Sequence, residues 1–192
     1  LARTMSTTKP PMLSSRPIKV PLLKVIPNGT MKSTAMASEV GSVTIAISVL
    51  PAALTVWRRD FAQTRCELAT FHTSEIVNAL RLGEADLALS LQDPRHPGIE
   101  AEPIAQGNLM VMAPRGTWSD EECREPLTPS GLKGELIGLA DRDPLGEMVV
   151  AACEAQDVHP VFRTVVQTYQ IARSLVEAGA GTAVLDPFTA AS

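Results

Sequence analysis

The stretch His72–Ser90, HTSEIVNALRLGEADLALS, changes its hydrophobic rhythm partway along. Ile76, Val77 and Leu80 recur at helical spacing and predict one apolar helix face. Thr73 and Ser74 are residue types that open helices, and Gly83 can close one in the left-handed conformation. Asp86–Leu91 then reads as a strand. Upstream, Val43–Ile47 is β-branched and apolar on both faces, the pattern of a strand buried on both sides. Ser48 and Pro51 suit the start of a helix over Ala52–Phe61, with Leu54, Trp57 and Phe61 at helical spacing, and Arg65–Phe71 reads as the next strand. A β-α-β-α-β run of this kind predicts a parallel sheet with right-handed crossovers.

The pattern restarts downstream. Asn108–Ala113 reads as a strand, Pro114–Pro129 as a polar loop, Glu135–Leu139 as a strand and Pro144–Gln156 as a helix. Val161–Gln167 (strand), Thr168–Ala178 (helix) and Thr182–Leu185 (strand) complete it. Two α/β units joined by a strand near 100–113 predict two lobes with a cleft between them. In open parallel sheets, ligands sit beyond the strand C-termini, where helix starts present free N–H groups. Ser48, Thr73 with Ser74, and Thr168 mark three such starts, and the Asp141–Gly146 turn marks a fourth. Each hydroxyl either caps its own helix or meets a ligand. Together they form the donor set that a carboxylate needs.

Composition narrows the function. The chain has 192 residues, 45% of them hydrophobic and only 4% aromatic, so Ala, Val, Leu and Ile must fill its core. The net charge of −4 argues against a nucleic-acid-binding chain, which needs a basic face. The charge is divided unevenly: residues 1–42 carry six basic side chains against Glu39 alone, and five of the 15 prolines fall in the first 27 residues. That stretch has no sustained apolar period and predicts an extended or disordered Pro-rich basic arm. Asn28-Gly29-Thr30 matches a glycosylation sequon, a pattern that is common by chance. The apolar run Val43–Trp57 is too short to span a membrane and is broken by Pro51. Three widely spaced cysteines fit a reducing compartment, so the expected location is the cytoplasm.

Tests for catalysis fail. Cys66, Cys123 and Cys153 lack metal-ligand spacing, and no His-x-x-x-His or Cys-x-x-Cys occurs. Gly179-Ala180-Gly181 lacks the third glycine of a dinucleotide fingerprint and precedes a strand. His72, beside Thr73, either touches a ligand or is an ordinary polar histidine at a strand end. Asp120-Glu121-Glu122 reads as a solvated loop. With no nucleophile–base pair and no metal set, the expectation is a non-enzyme with neither metal nor cofactor.

Several strings resemble the effector-binding domain of LysR-type transcriptional regulators: VTIAISVLP at 43–51, the quoted stretch at 72–90, LMVMAP at 109–114 and LVEAGAGTAVLDP at 175–187. The Leu-x-x-Gly-x-x-Asp-Leu-Ala pattern at Leu80–Ala88 and the Val176–Gly181 run carry the resemblance furthest. It implies an α/β, type 2 periplasmic-binding-protein-like fold: two β/α lobes with a ligand cleft, lobe I over about 43–106 and lobe II over about 107–190. It also implies effector contacts at Ser48, Thr73, Ser74, Asp143, Pro144, Leu145, Gly146 and Thr168. Asp143 is suited to an ammonium and the hydroxyls to a carboxylate. ADRDPLG at 140–146 and DPFTA at 186–190 look closest to the branch that senses amino acids and opines.

The resemblance therefore implies a small carboxylate effector, amino-acid-like in its chemistry, and a homo-oligomer in the full regulator. Residues 1–42 show neither a helix-turn-helix nor a linker helix, so DNA would be reached only through a domain outside this chain. The pattern also stops near residue 190, which predicts that the last part of lobe I is truncated and its sheet is short of a strand. A solute-binding protein of a transport system is the alternative. It needs a cleavable signal or a lipidation cysteine, and neither is seen.

Overall fold

A computed structural model describes residues 19–27, 35–39, 43–63, 67–71, 73–139 and 143–191. The chain divides into two compact units. One comprises residues 19–107, 168–170 and 187–192; the other holds 108–167 and 171–186.

The first unit is built on a five-stranded sheet. Its strands are β1 (Lys19–Pro27), β2 (Ala35–Glu39), β3 (Glu67–Phe71), β4 (Leu87–Ser90) and β5 (Ile99–Asn108), in the order β3-β2-β4-β1-β5. β2 runs parallel to both β3 and β4, with Ala37 opposite Ala69 on one side and Ala88 on the other. β1 runs antiparallel to β4, with Leu23 opposite Ser90 and Val25 opposite Ala88. The helices are α1 (Val43–Ser48), α2 (Leu50–Asp60), α3 (Thr73–Leu82) and, after the chain returns, α6 (Pro187–Ala191).

Two expectations change here. The strand predicted at Val43–Ile47 is helix α1. Backbone hydrogen bonds from Val49 N–H to the Ile45 carbonyl (3.0 Å) and from Ala53 N–H to the Val49 carbonyl (3.2 Å) carry it into α2 with little interruption. A short apolar run reads alike as buried strand or buried helix, and its β-branched residues favoured the strand. The parallel β-α-β-α-β order survives, but its first strand is β2, eight residues earlier. Second, β1 and β2 both fall in the stretch expected to be an arm. Lobe I was expected to be short of a strand, yet its sheet has five because β1 is drawn in.

The quoted stretch folds as its pattern predicts. Ile76, Ala79 and Leu80 of α3 are buried with Ala85 and Ala88, and Ile99 and Ala101 of β5 pack against them. Burial of each such Ile or Leu contributes roughly 1.5–3 kcal/mol. Gly83 takes φ +71 and ends α3. Its N–H bonds the Leu80 carbonyl (3.3 Å) and the Glu84 N–H bonds that of Ala79 (2.9 Å), the paired closure that a left-handed residue permits.

The second unit holds a four-stranded sheet of β6 (Met110–Met112), β7 (Leu136–Leu139), β8 (Phe162–Val166) and β9 (Thr182–Leu185), ordered β6-β9-β7-β8. β7 is parallel to β8 and β9, and β6 is antiparallel to β9. α4 (Pro144–Glu154) and α5 (Tyr169–Glu177) link the parallel strands. Gly181 opens β9 at a tight approach: a Cβ there would lie 2.5 Å from the Glu135 carbonyl oxygen. That carbonyl accepts the Thr182 N–H at 2.8 Å, and the buried Thr182 hydroxyl donates to the Lys133 carbonyl at 2.7 Å. The Val176–Gly181 run is thus a helix end, a glycine turn and a close-packed strand start.

Asp120–Glu122 is exposed, as expected of a solvated loop, but Glu122 is engaged. Its Oε2 accepts the Ser119 N–H (2.7 Å) and its own N–H donates to Ser119 Oγ (3.2 Å), a reciprocal capping box. Its Oε1 takes the Lys133 ammonium at 2.8 Å. Lys133 first, and then the Ser119 N–H, hold the Glu122 carboxyl down at about 2.

Candidate functional site

Each expected site residue has a definite place. Thr73 and Ser74 are the first two residues of α3, just past the end of β3. Thr168 immediately precedes α5 and is half-buried. Both positions are helix starts beyond strand ends, as the sequence predicts. Ser48 is not one: it closes α1, and Val49 rather than Ser48 is the N-cap of α2. Its misplacement follows directly from α1 having been expected as a strand. Ser48, Thr73, Ser74 and Thr168 all belong to the five-stranded unit, and Asp143–Gly146 to the four-stranded unit.

Asp143 is the N-cap of α4, with extended backbone (φ −77, ψ 115). Its Oδ2 accepts the Gly146 N–H at 2.6 Å, and its carbonyl accepts the Glu147 N–H at 2.9 Å. Pro144 sits in the first turn, where its missing N–H costs nothing. This helix start therefore carries its own anion, and the positive end of its dipole is already matched by a carboxylate. A ligand group that meets Asp143 is cationic or a hydrogen-bond donor. Leu145 is 3% exposed and serves the core.

One further polar residue near these helix starts is absent from the expected set. Gln170, in the first turn of α5 and two residues beyond Thr168, buries its side-chain Oε1 with no hydrogen-bond partner among the described residues. A buried amide oxygen left unpaired carries a desolvation cost that native structures rarely leave standing without a function. Its flanking residues are buried Tyr169 and exposed Ile171, so Gln170 has no hydrophobic rhythm to mark it. No sequence signal separates it from a surface glutamine.

Around this start the chain crosses between units. Gly107, the last residue before the first crossing, abuts Pro187, the first after the last crossing: a Cβ on Gly107 would collide with the proline ring. α6 packs on α1 in the same unit, where Ile45 and Thr189 are fully buried. Among the described residues, no group of three or more His, Cys, Asp or Glu side chains could hold a metal ion. No helix among them is long and apolar enough to cross a membrane. Cys123 and Cys153 are free thiols, and burial raises the titration point of Cys153. His72, Cys66, Asn28–Thr30 and Asp141 lie outside the described residues.

Two parallel-cored α/β units with helix starts beyond their strand ends have the fold of the type 2 periplasmic-binding-protein-like class. Residues 40–192 match the LysR substrate binding domain, and the chain belongs to that family. It is 28% identical over 160 residues to the HTH-type transcriptional regulator DgcR of Pseudoalteromonas sp, a match covering 80% of this chain and 54% of DgcR. It thus spans about half the length of the curated relative it matches. Its fold is similar to that of CbnR, a LysR-family regulator solved full-length with its target DNA (TM-score 0.66, 24% identity, 83% of this chain and 55% of CbnR). It is also similar to the regulatory domain of CcmR of Synechocystis PCC6803, solved in complex with 2-PG (TM-score 0.68, 16% identity, 83% of this chain and 74% of that one). Both family match and relatives are those of transcriptional regulators, and the transport alternative falls away.

Proposed function

We propose that this chain is the sensor domain of a LysR-type transcriptional regulator, and that its effector is a small amino-acid-like carboxylate bound without chemical change. Thr73 and Ser74 at the start of α3, with Thr168 at the start of α5, donate to the effector carboxylate. The acceptor Gln170 Oε1, in the same unit as these hydroxyls, meets its ammonium. The observation that carries this reading is the buried Gln170 Oε1 beside Thr168, which has no hydrogen-bond partner among the described residues and suits a ligand with an N–H or O–H to give. Charge-assisted bonds of this kind contribute roughly 1.5–3 kcal/mol each. That CcmR holds 2-PG supports a small-molecule effector for a domain of this fold.

Binding the effector shifts the domain between two states, and a homo-oligomeric regulator on its promoter reads that shift. DNA is bound by a part of the regulator beyond the matched domain, and catalysis has no role. Thermal-shift screening of the chain against amino acids, opine-like compounds and aromatic acids at millimolar concentration tests the proposal. Stabilisation by a carboxylate bearing an ammonium, and lost in Thr168→Ala and Gln170→Ala, is the expected result. A folded sample that no carboxylate stabilises overturns it.

A further inference from the structure

β4 and β5 follow one another in the chain through residues 91–98, yet they are not neighbours in their sheet. β1, from the other end of the unit's sequence, lies between them. It pairs antiparallel with β4 at Leu23–Ser90, Lys24–Leu89 and Val25–Ala88. Those β4 positions are interior: Ala88 is fully buried, Ser90 is 1% exposed and Leu89 is 6% exposed. Without β1, β4 and β5 would each present a row of unpaired N–H and C=O groups, one of them in the core of the unit. The place between them demands a strand.

The sequence of β1 fits that place narrowly. Prolines are excluded from central strands because they cannot donate to a ladder. Pro21 and Pro27 bracket the stretch Leu22–Ile26, and all three β4-paired residues fall inside the bracket. Leu23, Lys24 and Val25 thus carry the pairing with β4, and the prolines bracket it. The chain runs from β1 to β2 through residues 28–34, and β2 lies across β4 from β1.

We propose that the β4–β5 gap is a binding site for an extended, mainly apolar peptide with a central lysine, and that residues 19–27 occupy it as a separable complementing strand. The ligand class is a five-residue core, apolar at four positions with a lysine at its centre and flanked by prolines, recognised chiefly through main-chain hydrogen bonds on both edges. Its occupant decides whether the five-stranded unit is complete.

The test uses the full chain with a site-specific protease sequence placed in 28–34, folded intact and then cut. The severed N-terminal segment stays with the remainder through gel filtration. A fluorescent synthetic peptide spanning residues 17–28, added in excess during mild unfolding and refolding, takes its place and gains anisotropy. The same peptide carrying Val25→Pro binds at least about ten-fold more weakly, because proline removes a donor and fixes φ within a strand paired on both sides. Three results overturn the proposal: the severed segment departs while the remainder keeps its circular dichroism and melting transition, the wild-type peptide never enters, or the Val25→Pro peptide enters equally well.

Discussion

The Asp143 carboxylate and the Gly146 N–H meet at 2.6 Å, so the first turn of α4 is closed by its own side chain. The family resemblance also gives this residue an effector contact, and two substitutions separate the roles. Asp143→Ala loses the cap and costs about 1 kcal/mol in urea unfolding. Asp143→Asn keeps an acceptor oxygen and most of that stability, but loses the charge. The expected outcome is near-normal unfolding for Asn with weakened effector affinity by calorimetry. Equal affinity in Asp143→Asn and the parent removes Asp143 from the site.

Ile45 and Ile47 test the helix that replaced the expected strand. In a strand, residues two apart share a face; here Ile45 is fully buried and Ile47 is 52% exposed. Ile45→Ala is expected to cost about 2–5 kcal/mol, and Ile47→Ala to stay within about 0.5 kcal/mol. Equal losses in the two variants would restore the strand. The contrast also shows what the sequence made legible. Elements with internal punctuation were readable: α3 ends at Gly83, β9 begins after Gly181, and α4 begins at Asp143-Pro144. α1 has no punctuation of its own, and β1 and β2 are set by partners distant in the chain, which no local pattern records. The candidate site followed the same rule. Thr73, Ser74, Asp143 and Thr168 were legible as helix starts, Ser48 was misplaced with α1, and Gln170, which only the proposed function adds, is marked by burial and by no local pattern.

Gly181 takes φ +155 at the start of β9, and a Cβ there would meet the Glu135 oxygen that the Thr182 N–H needs. Gly181→Ala therefore strains the backbone and displaces a ladder partner, with an expected loss of about 1–3 kcal/mol. Thr182→Val retains the shape but leaves the Lys133 carbonyl without its donor, at a similar cost of about 1–3 kcal/mol. Denaturant midpoints of the two single variants check both values. A Gly181→Ala chain as stable as the parent contradicts the close approach.

The Glu122 carboxyl, held at about 2 by Lys133 and Ser119, gives the loop a defined acid response. Its folded value lies below its ordinary 4.5, so its contribution is full above that pH and fades as pH falls toward 2. The carboxyl carbon shift in NMR is expected to titrate near 2, and Lys133→Ala to bring it back toward the ordinary value. Because the pair is exposed, global stability changes little while the local titration moves. A midpoint near 4.5 in the parent chain would show that the Glu122–Lys133 contact does not persist in solution.

Gln170 offers the sharpest separation of stability from function. Its buried Oε1 has no partner among the described residues, so the unliganded domain bears the cost of desolvating that amide. Gln170→Leu replaces it with an apolar group of similar length. The unliganded variant is therefore expected to melt at or above the parent temperature, since removing an unsatisfied buried polar group is neutral or stabilising. Any effector that stabilises the parent through this acceptor should lose its effect in the variant. A core residue with no ligand role would instead leave the effector response intact, and a glutamine bonded in solution would make Gln170→Leu melt lower by several degrees. Melting curves of the two chains, each with and without the effector, distinguish all three cases in one experiment.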